Sequence, residues 1–145
     1  MTHLPWWKTE ACNELKGTDG SIFTPFIKKD TVLYAYNPEV CRPLFIVFDK
    51  EVEYKGVPLY RFGAHEKIFQ GIDTNPENEC YCTEGVDPEL CKRNGLMMMS
   101  GCAMGAPITL SQPHFFDADP RIRAEIDGLN PSEENHKTYL DIEPV

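Results

Sequence analysis

Cys12, Cys41, Cys80, Cys82, Cys91 and Cys102, six cysteines in 145 residues, constrain this chain more than any other feature. An even number at irregular spacing, with no Cys-x-x-Cys pair, reads as a disulfide framework. Structural zinc is the rival use of cysteine, with His65, His114 and His136 as extra ligands. Zinc sites bring their ligands in close pairs such as Cys-x-x-Cys or His-x-x-x-His. The tightest pair here is Cys80-Tyr81-Cys82, so the spacing favours disulfides and no metal. Persistent disulfides in turn imply the secretory pathway, the lysosome lumen or the cell surface.

That compartment requires a route to it. Residues 2–8 have neither the basic region nor the apolar region of a signal peptide. The longest aliphatic and aromatic run, 44–48, is far short of the roughly 20 residues a membrane helix needs. A strand-like alternation over 138–143 runs almost to the last residue. Truncation of a longer chain at both ends is the expectation that reconciles these features, with 1–145 a partial extracellular or lumenal domain. The size and a 41% hydrophobic, 26% charged composition suit one globular domain. A net charge of −9 repels phosphate backbones. Basic residues come only in small pairs such as Lys28-Lys29 and Lys92-Arg93, which read as solvated surface, so nucleic acid is not a partner.

Periodicity predicts mainly β structure. Residues 32–36 alternate with β-branched and aromatic side chains, and 44–48 form a continuous apolar run of the kind found where a strand is buried on both faces. Val52 and Tyr54 alternate with charged neighbours, and Gly56 turns the chain into a further strand at 57–62. Later strands are predicted at 96–99 and 108–110. Helical signals are short. Asp119-Pro120 is a cap followed by proline at the first helical position, with Ile122, Ile126 and Leu129 on one face. Asn130-Pro131-Ser132-Glu133 repeats the device, with Glu133 placed for a capping box. Short strands, 12 prolines and 10 glycines point to an antiparallel barrel or sandwich with short helical turns.

Cys80 and Cys82 lie in a segment that reads as extended, which would put both side chains on one face about 6.6 Å apart, near the upper limit for a mutual disulfide. Each therefore needs another partner. Gly85 and Asp87-Pro88 let the chain double back between Cys82 and Cys91, making that the local bridge of choice. Spacing leaves the other four cysteines unpaired.

Catalysis finds little support. Ser111, His114, Asp117 and Asp119 are close in sequence, but a triad is defined by spatial roles and no Gly-x-Ser-x-Gly elbow is present. His114, between Pro113 and Phe115, reads as a hydrogen-bonded structural histidine. The run 97–99 of three methionines reads as half core and half outward-facing, with an adaptable lipid contact as the alternative. Trp6 and Trp7 suit either a membrane interface or buried packing. No cofactor is implied.

Several motifs in one order carry a family resemblance. Cys12-Asn13, Gly17-Thr18-Asp19-Gly20, Phe23, Pro25-Phe26 and Cys41-Arg42 come first. Gly56-Val57-Pro58-Leu59-Tyr60-Arg61-Phe62, Asn75-Pro76-Glu77-Asn78, Cys80-Tyr81-Cys82-Thr83-Glu84 and Pro113-His114-Phe115 follow. Last come Ile126-Asp127-Gly128-Leu129-Asn130-Pro131, then Glu134, His136, Thr138 and Tyr139-Leu140-Asp141-Ile142-Glu143-Pro144. From about Trp7 onward the chain resembles the class B scavenger receptors, a family that includes platelet glycoprotein IV, the lysosomal integral membrane protein and insect sensory neuron membrane proteins.

The resemblance implies a membrane receptor rather than an enzyme. Its large ectodomain would be anchored by a helix at each end, with a β-barrel-like core pierced by an apolar tunnel and a helical apex that this chain lacks. It implies lipid partners (fatty acids, sterols, lipoprotein lipids) or the sorting of a lysosomal enzyme, at the plasma membrane or the lysosomal membrane. Matched by position to the platelet glycoprotein, it implies the pairs Cys12–Cys80, Cys41–Cys102 and Cys82–Cys91. It identifies no lipid-contacting residue. One departure is Lys16-Gly17-Thr18, where the family often has an Asn-Gly-Thr glycosylation site. The only Asn-x-Ser/Thr triplet here, Asn130-Pro131-Ser132, is disabled by its proline. A self-contained, secreted, disulfide-rich binding module is the alternative, which the flanking sequence would discriminate.

Overall fold

The computed structural model describes residues 4–145 and is mainly β with short helices. Three strands form consecutively: β1 (Leu33–Asn37), β2 (Arg42–Tyr54) and β3 (Val57–Ala64). Short strands β4 (Met97–Met98) and β5 (Thr109–Leu110) pair with each other, and β6 (Tyr139–Ile142) closes the order. Three short helices intervene: α1 (Pro88–Lys92), α2 (Pro120–Ala124) and α3 (Glu133–His136). The main sheet is four-stranded and antiparallel in the order β1-β2-β3-β6.

The β2–β3 hairpin turns at Lys55 and Gly56, both with positive φ (51° and 83°), as the two-residue turns that match strand twist require. The register shifts between Phe48 and Lys50, leaving Asp49 as the extra residue of a bulge. β6 returns from far along the chain to pair Phe62 with Leu140 and Tyr60 with Ile142. Beyond β1, Thr18 bridges Ala35 in parallel.

One apolar cluster is built on Ile27, Leu33 and Phe62, with Phe23, Ile46, Phe48, Tyr60 and Ile142 packed around it. Phe62 is its centre and fully buried. A second cluster joins Val40, Ile68, Met97 and Met99, with Leu44, Phe45, Ala64 and Phe69 against it. Residues 44–48 therefore serve two clusters, but every one of them is half-buried rather than buried. A strand can only be dry on both faces where both are fully covered, and neither cluster covers this one completely.

Several local expectations need correction. Cys80 is not in an extended segment. It lies in a 3-10 helix, Pro76–Tyr81, and Cys82 ends that helix. All three methionines 97–99 are buried, because β4 is too short to present an outward face and is enclosed by the second cluster, by β5 and by Arg42. α2 is capped by Asp119 as expected, its carboxylate accepting from Arg121 N at 2.9 Å. It ends at Ala124, where backbone bonds tighten (Ile126 N donates to Arg123 O at 3.4 Å), and Ile126 is exposed rather than on a buried face. α3 begins after Ser132, not after Asn130. The reach-back assigned to Glu133 belongs to His136, whose Nδ1 accepts from Ser132 N at 2.9 Å, while Glu133 holds Lys137.

Candidate functional site

The six cysteines meet in the three pairs that the resemblance implied. The Cα atoms of Cys12 and Cys80 are 6.5 Å apart, those of Cys41 and Cys102 5.6 Å, and those of Cys82 and Cys91 6.0 Å. The first pair ties the N-terminal segment to the helix at Pro76–Tyr81, the second ties the β1–β2 turn to the loop after β4, and the third closes α1 back on its own loop.

These three junctions surround one aromatic–cation stack. Arg42 directly follows Cys41, Tyr81 lies between Cys80 and Cys82, and Trp7 lies shortly before Cys12. The guanidinium carbon of Arg42 is 3.7 Å from the Tyr81 ring centroid and 4.7 Å from that of Trp7. The two rings meet edge to face at 5.0 Å. Trp7 is buried, its Nε1 donating to Cys41 O at 2.7 Å, whereas Trp6 is exposed. Asn13 locks the N-terminal segment onto this stack, accepting from Trp7 N at 2.8 Å and donating to Trp7 O at 2.7 Å. Burial pushes the Arg42 guanidinium down to about 10, with the Tyr81 phenol acting against the shift. Burial also pushes the Tyr81 phenol up.

The second feature is a groove of about 580 Å³ with a mixed lining beside the first cluster, between residues 20–27 and β6. Ile22, Phe23, Ile27, Leu140, Ile142 and Val145 supply its apolar part, and Ser21, Thr24, Asp141 and Glu143 its polar part. Ile22 and Leu140 are exposed, so the groove is open to the surface. The peptide Ile27 N donates to Pro144 O at 3.1 Å and holds its two walls together at one point. Asp141 of this lining is tied to β3. Arg61 clamps Asp141 through two bonds of 2.7 Å and stacks on Tyr139 at 3.7 Å. The bond from Arg61 holds the Asp141 carboxyl below its ordinary range.

Ser111, Asp119 and the three histidines singled out for catalysis or metal binding have other partners. Ser111 Oγ donates to Gln112 O at 3.0 Å, and Asp119 is committed to Arg121, which holds its carboxyl down at about 2. His65, His114 and His136 each use Nδ1 to accept a backbone N–H, from Lys67, Asn130 and Ser132. His114 and His136 stack at 4.2 Å, a contact between two histidines that the sequence gives no way to foresee. Among the described residues no three metal-ligating side chains cluster. The groove likewise escaped the sequence reading, since its walls come from residues more than a hundred positions apart. The aromatic–cation stack had one visible signal, the adjacency of Arg42 and Tyr81 to paired cysteines.

Comparison with known proteins is consistent along the whole chain. The profile of the CD36 family matches residues 1–145. Scavenger receptor class B member 1 of Rattus norvegicus is 35% identical over 145 residues, which is 100% of this chain and 27% of that protein. Lysosome membrane protein 2 of Homo sapiens is 37% identical over 144 residues, 99% of this chain and 29% of that protein. The lysosome membrane protein 2 of Mus musculus is 36% identical over the same span. The chain thus spans little more than a quarter of the length of these relatives.

Proposed function

The chain belongs to the CD36 family, the class B scavenger receptors, and from that premise we propose that it is part of the extracellular or lumenal portion of a membrane-anchored receptor that binds lipid. Membership of the family is the observation that carries this reading. The apolar residues of the open groove between residues 20–27 and β6 support it, because a lipid chain needs apolar contacts. We place the membrane anchors outside this chain; among the described residues no helix is long and apolar enough to cross a membrane. The kinship to a protein named for the lysosome membrane supports the lysosomal membrane as one location, with the cell surface as the other.

The main sheet supports the partial-domain reading. β2, which holds residues 44–48, has strand neighbours on both sides, so it is not the open edge. The sheet's two edges are β1, flanked only by the Thr18 bridge, and β6, paired only with β3. An unpaired edge beside a groove is a place where further strands add.

The test compares the full-length protein with the 145-residue chain, both oxidised, by size-exclusion chromatography and a fluorescent fatty-acid titration. The full-length protein is expected to bind, and the short chain to aggregate and bind weakly or not at all. In the full-length protein, Leu140→Glu should weaken fatty-acid binding about tenfold or more, since it puts a charge where an acyl chain would lie, without lowering the melting temperature by more than a few degrees. A sharp monomer peak and cooperative melting of the short chain would sink the partial-domain reading. Unchanged affinity in the variant would remove the groove from it.

A further inference from the structure

A buried guanidinium needs two things: its charge balanced and its in-plane N–H donors accepted. Arg42 is 4% exposed. Trp7 and Tyr81 pack against it, which answers part of the charge. Nη2 donates to the Met98 carbonyl, but Nε is fully buried without an acceptor, the one side-chain nitrogen or oxygen in that state among the described residues. The ion pairs of the described residues leave Arg42 out, and the only ionisable group acting on it is the Tyr81 phenol. Buried charges are ordinarily paired, and among the described residues no carboxylate pairs with Arg42.

Arg42 opens onto a pocket of about 150 Å³. Lys67, Asn75, Glu77, Asn78 and Tyr81 line it with Arg42. Asn78 fixes the wall that carries Lys67, its Nδ2 donating to Lys67 O at 2.8 Å and Gln70 O at 2.7 Å. Lys67 takes part in none of the ion pairs of the described residues. Two cations against the single carboxylate of Glu77 leave the pocket positive within a chain whose net charge is −9. The volume has room for several waters at about 10–15 Å³ each, which admits an oxyanion group and not a long acyl chain. The stack and the three disulfide junctions hold Arg42 in place before any ligand arrives, which lowers the cost of binding.

We propose that this pocket is a binding site for a small oxyanion, a carboxylate or phosphate group, with Arg42 as its buried anchor and Lys67 as its second cation. The site lies apart from the groove beside β6 and does not depend on the lipid reading. A second cavity of about 20 Å³ also touches Arg42 and has room for one water, so hydration of Nε alone is the competing account.

The test is thermal melting of the full-length protein in sodium acetate and in sodium phosphate, each against sodium chloride at matched ionic strength and pH 7. A specific ligand raises the midpoint saturably. A saturable response to acetate assigns a carboxylate, and one to phosphate assigns a phosphate group; either supports the site. Lys67→Met should raise the half-saturating concentration roughly tenfold, the effect of one charge-assisted bond. Glu77→Gln should lower it, by removing the one opposing carboxylate. Arg42→Met should abolish the response, and if that variant fails to fold the other two still decide. No saturable response to either anion, or a response equal in wild type, Lys67→Met and Glu77→Gln, overturns the proposal in favour of hydration. Loss of stability in Glu77→Gln without any anion also overturns it, because Glu77 would then be the internal counter-ion.

Discussion

At the scale of single residues, backbone conformation separates glycines that look alike in the sequence. Gly56 has φ +83° with open space around it, whereas Gly95 has φ +94° and a side chain there would run into Ala118. Gly95 N also donates to Phe69 O at 2.6 Å, so the segment has no freedom to withdraw. Gly56→Ala is expected to cost about 1 kcal/mol, from strain alone. Gly95→Ala is expected to cost about 2–5 kcal/mol, from strain plus collision. Urea denaturation of both variants checks the difference, and equal costs would contradict it. Gly56 was legible because a turn between two alternating runs is a local pattern. Gly95 was not, because its constraint is Ala118, which a loop brings back from 23 positions away (118 − 95).

At the scale of elements, the β3–β6 pairing rests on Arg61 and Asp141, which face each other across the two strands. Arg61 holds the Asp141 carboxyl below its unfolded value, so this contact stabilises the fold above the ordinary carboxyl range, near pH 4. That contribution is lost as pH falls through the depressed folded value. Asp141→Asn should therefore be less stable than wild type at pH 6 and close the gap as pH approaches 2. Denaturation midpoints across that range measure it, and a gap that widens in acid would refute the assignment. A double-mutant cycle with Arg61→Met should return a coupling of about 0.5–1 kcal/mol, modest because both side chains keep some solvent contact. The strand cores of this sheet were readable from alternation, and the cap of α2 from Asp119-Pro120, because both signals act within a few residues. The end of α2 and the start of α3 were misread for the opposite reason. Ile126 had the spacing of a helical face but no core to face, and His136 took the role that spacing assigned to Glu133.

At the scale of the whole molecule, the disulfides close loops of very different size. Cys12 and Cys80 are 68 positions apart, and Cys82 and Cys91 are 9 apart. Loop-closure entropy gives roughly 4.4 kcal/mol for the long loop and roughly 2.7 kcal/mol for the short one. Replacing Cys12 and Cys80 together by serine should lower stability more than replacing Cys82 and Cys91, by about 1.7 kcal/mol on that arithmetic. Denaturant midpoints of the two double variants provide the comparison. Peptide mapping without reduction should recover Cys12–Cys80, Cys41–Cys102 and Cys82–Cys91, and a Cys80–Cys91 peptide would contradict the pairing.

The sequence by itself determined that this chain is mainly β, that its cysteines form a framework, and, through the order of its motifs, which family it belongs to. Those properties are carried by local periodicity, turn chemistry and residue identity, which are written along the chain. Only the tertiary structure decided that a groove opens beside β6, and that Arg42 sits buried against Trp7 and Tyr81 with its Nε unserved. Arg42 is an ordinary basic residue in the sequence, and its environment arises from segments near positions 7, 42, 81 and 98. Burial and electrostatics depend on which distant segments meet, and that is settled when the chain folds.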